Sequence, residues 1–172
     1  MDFTEKTKSK EYIYKGKILN LRKDSAVLPN GKDCVREVVE HSGGSCILCE
    51  KDNKILLVKQ FRYPYKKEIL ELPAGKLNPN ETPEQTAIRE LEEEGGLTAI
   101  KVEKMFDVYP SPGYTDEIIR IYKATEFTDS KQNLDDDEFL SAVWIEKSKL
   151  KKMIELGEIN DAKTLIALLS VL

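Results

Sequence analysis

Residues 75–97 read GKLNPNETPEQTAIRELEEEGGL, the most informative stretch of the chain. Its first half is a helix start. Thr82 is suited to cap, Pro83 suits the first helical position, and Gln85 stands three residues after Thr82, the spacing of a capping box. Gly95 and Gly96 supply the stop. At about 100° of turn per residue, Glu90, Glu93 and Glu94 share a stripe roughly 100° wide, whereas Glu92 points elsewhere. Ala87, Ile88 and Leu91 form the neighbouring apolar stripe, which should face the core.

Three like charges on adjacent turns repel, at roughly a few tenths of a kcal/mol per exposed pair. A hard divalent cation turns that cost into a binding site, because Mg²⁺ prefers carboxylate oxygens and keeps several waters. The bland alternative is a solvated acidic face. The stretch, however, resembles the signature of the Nudix hydrolases, G-x5-E-x7-R-E-U-x-E-E-x-G-U with U aliphatic. Gly75, Glu81, Arg89, Glu90, Leu91, Glu93, Glu94, Gly96 and Leu97 meet all nine specified positions over 23 residues. So long a match weighs against the bland reading in a way that a lone glycine motif does not.

The 172 residues suit one domain with a small added subdomain, and 40% apolar content is enough for a packed core. A net charge of −4 and a pI near 5.3, with no strong basic block, argue against a nucleic-acid polymer as partner. A small phosphorylated ligand is still compatible if a metal mediates the contact. The opening MDFTEKTKSKEY lacks the apolar run of a signal peptide. No stretch approaches the ~18 apolar residues of a membrane span, so cytoplasm is the expected compartment. Cys34, Cys46 and Cys49 do not suggest a disulfide framework. Cys46 and Cys49 lie three apart in SCILCE, which reads as a strand, so they face opposite sides rather than one metal. His41 is the single histidine and reads as an ordinary strand-end residue.

Residues 11–40 alternate apolar and polar side chains as a β-meander, with Pro29-Asn30-Gly31 as a hairpin turn. Further strands are expected at Ser45–Glu50, Lys54–Tyr63, Glu68–Leu72, Lys101–Tyr109, Glu117–Ala124 and Ala142–Ile145, with a turn at Asp52-Asn53. Ser148 is expected to cap a helix that stops at Gly157, and Asn160 or Asp161 to cap a last one. Strands and helices thus mix without regular βαβα alternation. The Nudix resemblance implies an α/β chain of the α+β type. Its core is an α/β/α sandwich around a mixed sheet, at residues 42–172. Residues 1–41 would be an added antiparallel β-subdomain.

Other segments resemble the ADP-ribose pyrophosphatase branch of that family. They are Lys59-Gln60-Phe61-Arg62-Tyr63-Pro64, Glu71-Leu72-Pro73-Ala74-Gly75, Ser111-Pro112-Gly113, Arg36-Glu37-Val38-Val39-Glu40-His41 and Asp161-Ala162-Lys163-Thr164. Pro112 stands 16 residues beyond Gly96, where that branch carries a proline. The resemblance implies Mg²⁺-dependent cleavage of ADP-ribose to AMP and ribose 5-phosphate, with Mn²⁺ as a substitute ion. Glu90 and Glu94 would be the first metal ligands, Glu93 a third, and the Ala74 carbonyl a further one. Arg89 would orient the glutamates, as an i,i+4 pair with Glu93. Glu81 would hold the loop or reach the metal through water, and Gly75 would let the backbone turn close to the metal. A base should come from Asp135-Asp136-Asp137-Glu138, with Glu138 first and Asp136 second. Arg62 and Arg36 would meet the diphosphate and ribose, and Pro112 and Gly113 the substrate. Tyr12 or Tyr14 would stack on adenine. The branch commonly shares its site between two subunits with exchanged N-terminal strands, so a homodimer is expected. The meander is also too thin to bury both its faces alone. The competing substrates are another nucleoside diphosphate sugar or a dinucleotide such as NADH or FAD. The other classes are a non-catalytic ADP-ribose sensor, which would be expected to lose motif glutamates, and an acidic structural protein.

Overall fold

A computed structural model describes residues 2–136 and 138–172 of the chain. They fall into two compact units. One runs up to Gly43 and takes in Tyr109–Ile118; the other comprises Gly44–Val108 and Ile119–Leu172.

The first unit is an antiparallel sheet of β1 (Lys6–Lys15), β2 (Leu19–Val27) and β3 (Asp33–His41), in that order. The β2–β3 turn closes with Gly31 N–H donating to the Leu28 carbonyl at 2.9 Å, and Gly31 has the positive φ of +83° that favours glycine. The 109–118 segment is stitched to β3. Val39 N–H donates to the Tyr114 carbonyl at 2.7 Å, and His41 N–H to the Asp116 carboxylate at 2.9 Å. The Ser111 carbonyl accepts from Tyr114 and Thr115, so Pro112 and Gly113 form the bend of that segment. This sheet buries little: Tyr12, Ile13, Tyr14 and Val35 are 46–58% exposed.

The second unit is built on β4 (Gly44–Lys51), β5 (Lys54–Arg62), β6 (Lys67–Glu71), β7 (Ala74–Lys76), β8 (Leu97–Val108), β9 (Ile119–Asp129) and β10 (Leu140–Glu146). Their order is β10-β5-β4-β9-β8, with β6 paired to β5 and β7 to β4. The β4–β9 pair is parallel and the other pairs are antiparallel, so the sheet is mixed. Asp52 and Asn53 take φ of 51° and 61°, the left-handed pair that a tight β4–β5 hairpin requires. Three helices cover the sheet: α1 (Pro83–Gly95), α2 (Lys147–Glu155) and α3 (Ala162–Leu169).

Strand alternation sets the layers. Cys46 and Leu48 of β4 point into a cluster with Leu150 and Met153 of α2 and Ala167 and Leu168 of α3. Ile47 and Cys49 point the other way, into a cluster with Ala87 and Leu91 of α1. The two cysteines therefore lie on opposite faces as thiols, and burial pushes both up to about 12. The result is the expected α/β/α sandwich with a mixed sheet, accompanied by an antiparallel N-terminal sheet. Among the described residues no helix is long and apolar enough to cross a membrane.

Local details differ from the sequence reading at α2. Glu146, without a side-chain hydrogen bond, occupies the cap position, and Ser148 lies inside the helix. The strand before it runs straight into the first turn, so the helix starts two residues early. At α3 the choice falls on Asp161, whose carboxylate accepts from Thr164 N–H at 3.0 Å. The three-residue β7 carries no pattern long enough to announce a strand.

Candidate active site

The site grows from α1. Thr82 Oγ1 accepts from Gln85 N–H at 3.2 Å while Gln85 Oε1 accepts from Thr82 N–H at 2.8 Å, so the capping box is complete. Gly96 ends the helix in the left-handed region, at φ +65°. Ala87 and Leu91 are fully buried and Glu92 is exposed, as the periodicity requires.

Arg89 gathers the motif. Its Nε donates to Glu81 Oε1 at 2.8 Å, and its Nη1 to Glu90 Oε1 at 2.7 Å and to Glu93 Oε2 at 2.8 Å. Its Nη2 reaches the Lys76 carbonyl at 3.2 Å. One guanidinium thus ties the loop before α1 to three glutamates, and the i,i+4 pair with Glu93 forms. Glu81 also accepts from Asn78 N–H at 3.1 Å and Thr86 Oγ1 at 2.9 Å, which holds the loop. The Arg89 hydrogen bonds bring the Glu81 carboxyl down to about 2.

Glu90 and Glu94 behave in the opposite way. They are 5% and 3% exposed. Burial pushes Glu90 up to about 7 despite Arg89, and Glu94 up to about 8 despite a 2.8 Å hydrogen bond from Ala74 N–H. The charge of Glu138 adds a lesser push in the same direction at both. Arg62 acts on Glu94 in the opposite sense.

Gly75 leaves its side-chain volume to Glu90. A Cβ there would stand 1.8 Å from Glu90 Oε1, so the Glu90 carboxyl occupies the volume a side chain would fill. A Cβ on Gly95 would stand 2.9 Å from a Leu56 methyl.

The chain that enters the acidic loop is held to α1 by residues 130–133, which the sequence reading does not single out. Ser130 N–H donates to the Gly96 carbonyl at 2.8 Å, Asn133 N–H to the Glu93 carbonyl at 3.0 Å, and Gln132 Nε2 to the Glu94 carbonyl at 2.7 Å. These bonds satisfy the carbonyls at the end of α1 and anchor the chain entering the acidic loop. Within the loop, Glu138 N–H donates to the Asp135 carbonyl at 2.9 Å. Asp136 is exposed, and Asp137 lies outside the described residues.

Arg62 has a partner of its own. Its Nε and Nη2 donate to the two oxygens of Glu71 at 2.6 and 2.9 Å, and Lys163 Nζ donates to Glu71 Oε2 at 2.5 Å. Lys163 also meets Asp161 at 3.0 Å, and Thr164 Oγ1 links Asp161 to Leu72 N–H. Burial raises the Glu71 carboxyl, but Arg62 and Lys163 more than offset it and hold the group below its ordinary range. The sequence reading missed this network. Its signal was available: Ile69 and Glu71 share the buried face of β6, and a glutamate on a buried strand face calls for cationic partners.

Arg36, Pro112 and Gly113 belong to the first unit. There Arg36 forks onto Glu5, at 2.9 and 2.6 Å. His41 Nδ1 accepts from Gly43 N–H at 3.1 Å and faces Glu117 at 3.3 Å.

Among the described residues, no three His, Cys, Asp or Glu side chains already stand as a metal cage. The donor set nonetheless fits a hard divalent cation. It consists of carboxylate oxygens, two of them buried where a second positive charge beside Arg89 would stabilise the ionised form.

Comparison with known proteins agrees with this geometry. Residues 39–168 match the family described as NUDIX domain, and residues 5–39 match the nucleoside diphosphate sugar hydrolase N-terminal domain. The chain is 45% identical over 167 residues to the ADP-ribose pyrophosphatase of Bacillus subtilis (strain 168), covering 95% of this chain and 90% of that one. It is 40% identical over 169 residues to the methanol dehydrogenase activator of Bacillus methanolicus, covering 96% and 91%. A crystal structure of an ADP compounds hydrolase superposes with a TM-score of 0.86 at 19% identity, over 98% of this chain and 93% of the other, a likeness of fold.

Proposed function

The chain belongs to the Nudix hydrolase family, and on that premise we propose that it hydrolyses the pyrophosphate bond of ADP-ribose, giving AMP and ribose 5-phosphate, with Mg²⁺ as its ion and Mn²⁺ as a substitute. The observation that carries the reading is the buried pair Glu90 and Glu94, whose partners are Arg89 and the Ala74 N–H and whose carboxyls burial pushes up. The resemblance of the whole chain to an ADP-ribose pyrophosphatase supports the substrate.

A bound divalent cation supplies neutralisation of the phosphate oxygens and acidification of a water. The protein groups have the following parts in the proposal. Glu90 and Glu94 hold the ion, with Glu93 and the Ala74 carbonyl as further oxygen donors. Arg89 sets the orientation of Glu90 and Glu93. Glu138 accepts the proton of the attacking water, and Asp136 is the second choice. Arg62, Arg36, Pro112 and Gly113 receive the nucleotide sugar. Arg62 is pre-positioned by its fork onto Glu71, which lowers the entropy lost on meeting a phosphate.

The proposal also assigns residues 1–41 to dimerisation and 42–172 to hydrolysis, in a cytoplasmic protein. The exposed apolar side chains of the three-stranded sheet support a second copy as partner.

Product analysis tests the reading, with ADP-ribose beside ADP-glucose, NADH and FAD, each with and without Mg²⁺. AMP and ribose 5-phosphate should appear fastest from ADP-ribose and only with the ion. Glu138→Gln should slow turnover while ion binding persists. Preferential cleavage of a dinucleotide or another nucleoside diphosphate sugar would overturn the substrate and keep the chemistry. Binding of ADP-ribose without cleavage would overturn the hydrolase.

A further inference from the structure

We infer that the Ser45 hydroxyl is a positioning group of the cation site, a hydrogen-bond donor to the Glu90 carboxylate once an ion is bound. The inference rests on the reading of Glu90 as a metal ligand.

Ser45 lies in β4 and is 1% exposed, and its Oγ has no hydrogen-bond partner among the described residues. A buried hydroxyl without a partner is costly, and such groups in native proteins call for an explanation. The register supplies one. Ser45 is directly opposite Gly75 in the antiparallel β4–β7 pair. Residues so opposed carry their side chains on one face. By alternation, Ser45 shares its face with Ile47 and Cys49, the face covered by Ala87 and Leu91 of α1. On that face, the space above Gly75 is occupied by the Glu90 carboxyl. Ser45 Oγ and Glu90 are therefore neighbours across a strand pair.

In this structure Arg89 holds Glu90 Oε1 at 2.7 Å, and no hydrogen bond joins Glu90 to Ser45. An ion competes with Arg89 for the same oxygens. A carboxylate drawn toward an ion still has lone pairs to satisfy, and a hydroxyl fixed on a strand is suited to fill one and fix the plane of the carboxylate. Ser45 is thus unmatched as Glu90 stands here and would be matched once Glu90 turns to an ion, so its hydrogen bond would contribute to ion affinity.

That asymmetry predicts two changes of opposite sign in Ser45→Ala. Without an ion, thermal stability should rise slightly or hold, because an unpartnered hydroxyl is lost. The dissociation constant for Mn²⁺, read by calorimetry on the full chain without substrate, should increase about tenfold. Glu90→Gln serves as the control. If the wild type binds Mn²⁺, Glu90→Gln loses it and Ser45→Ala binds as the wild type does, the Ser45 inference falls and the metal reading stands. If Glu90→Gln binds as well as the wild type, the metal reading falls and takes the inference with it. A drop in the ion-free stability of Ser45→Ala, with unchanged affinity, would make Ser45 a packing residue only. Ser45→Cys, close in volume with a weaker donor, should fall between serine and alanine in affinity.

Discussion

Two buried glutamates of the same unit, Glu71 and Glu94, are each 3% exposed, and the protein treats them in opposite ways. Glu71 receives a forked arginine and a lysine, and its carboxyl is held below the ordinary range. Glu94 receives one backbone N–H, and burial drives it up to about 8. Equal burial with unequal partners separates a carboxylate that the fold pairs with two cations from one that it leaves with a single backbone donor, the group proposed above to hold an ion. Removing either group is informative because the consequences should fall on different measurements.

The largest effect is expected at Glu71. Glu71→Ala leaves the Lys163 ammonium, 10% exposed, without its closest partner. Breaking a buried pair costs about 3–5 kcal/mol of stability where the remaining charge is left alone; here Lys163 keeps Asp161 at 3.0 Å and Arg62, 39% exposed, turns to water, so the loss falls toward the lower end. Denaturant midpoints measure it. A loss below about 1 kcal/mol, the scale of a surface pair, would erase the contrast with Glu94.

Glu94→Gln should do the reverse. The amide oxygen can still accept from Ala74 N–H, and a neutral group suits the burial. Stability of the ion-free protein should hold, while turnover of ADP-ribose falls about a hundredfold or more, equal to about 2.7 kcal/mol in barrier. Wild-type turnover would remove Glu94 from the ion site and leave its burial without an account.

The smallest effect is a slope with pH. Glu71 is depressed below its ordinary 4.5, so its contribution is complete above that value and is lost as pH falls through the depressed one. Lys163 is raised above its ordinary 10.5, so its share is complete below that value and lost as pH rises through the raised one. Urea midpoints across the acid range should decline more steeply for the wild type than for Glu71→Gln. Parallel declines would show that other carboxylates set the acid limit.

Much of the site was legible because its signals are local. The box at Thr82 and Gln85, the stop at Gly96, the pairing of Arg89 with Glu93 and the outward turn of Glu92 all follow from helix geometry within about four turns. The opposite facing of Cys46 and Cys49 follows from strand alternation. The cap of α2 was misread at Ser148, because a polar side chain near a helix start is a weaker constraint than a strand that runs into the helix. Gly75 was read as a turn glycine, and the structure gives its Cβ position to the Glu90 carboxyl.

From the sequence alone followed the helix, its caps and its acidic stripe, because these depend on residues a few positions apart; the sandwich was implied by the family resemblance that the motif carries. How the carboxylates differ is set by the packing of the whole chain. The partner of Glu71 on α3 lies 92 residues away, the Gln132 bond to the Glu94 carbonyl spans 38, and the neighbour of Ser45 is found through the register with Gly75. Burial and ionic pairing are properties of the packed chain, and a glutamate in a sequence carries no mark of which cations will reach it.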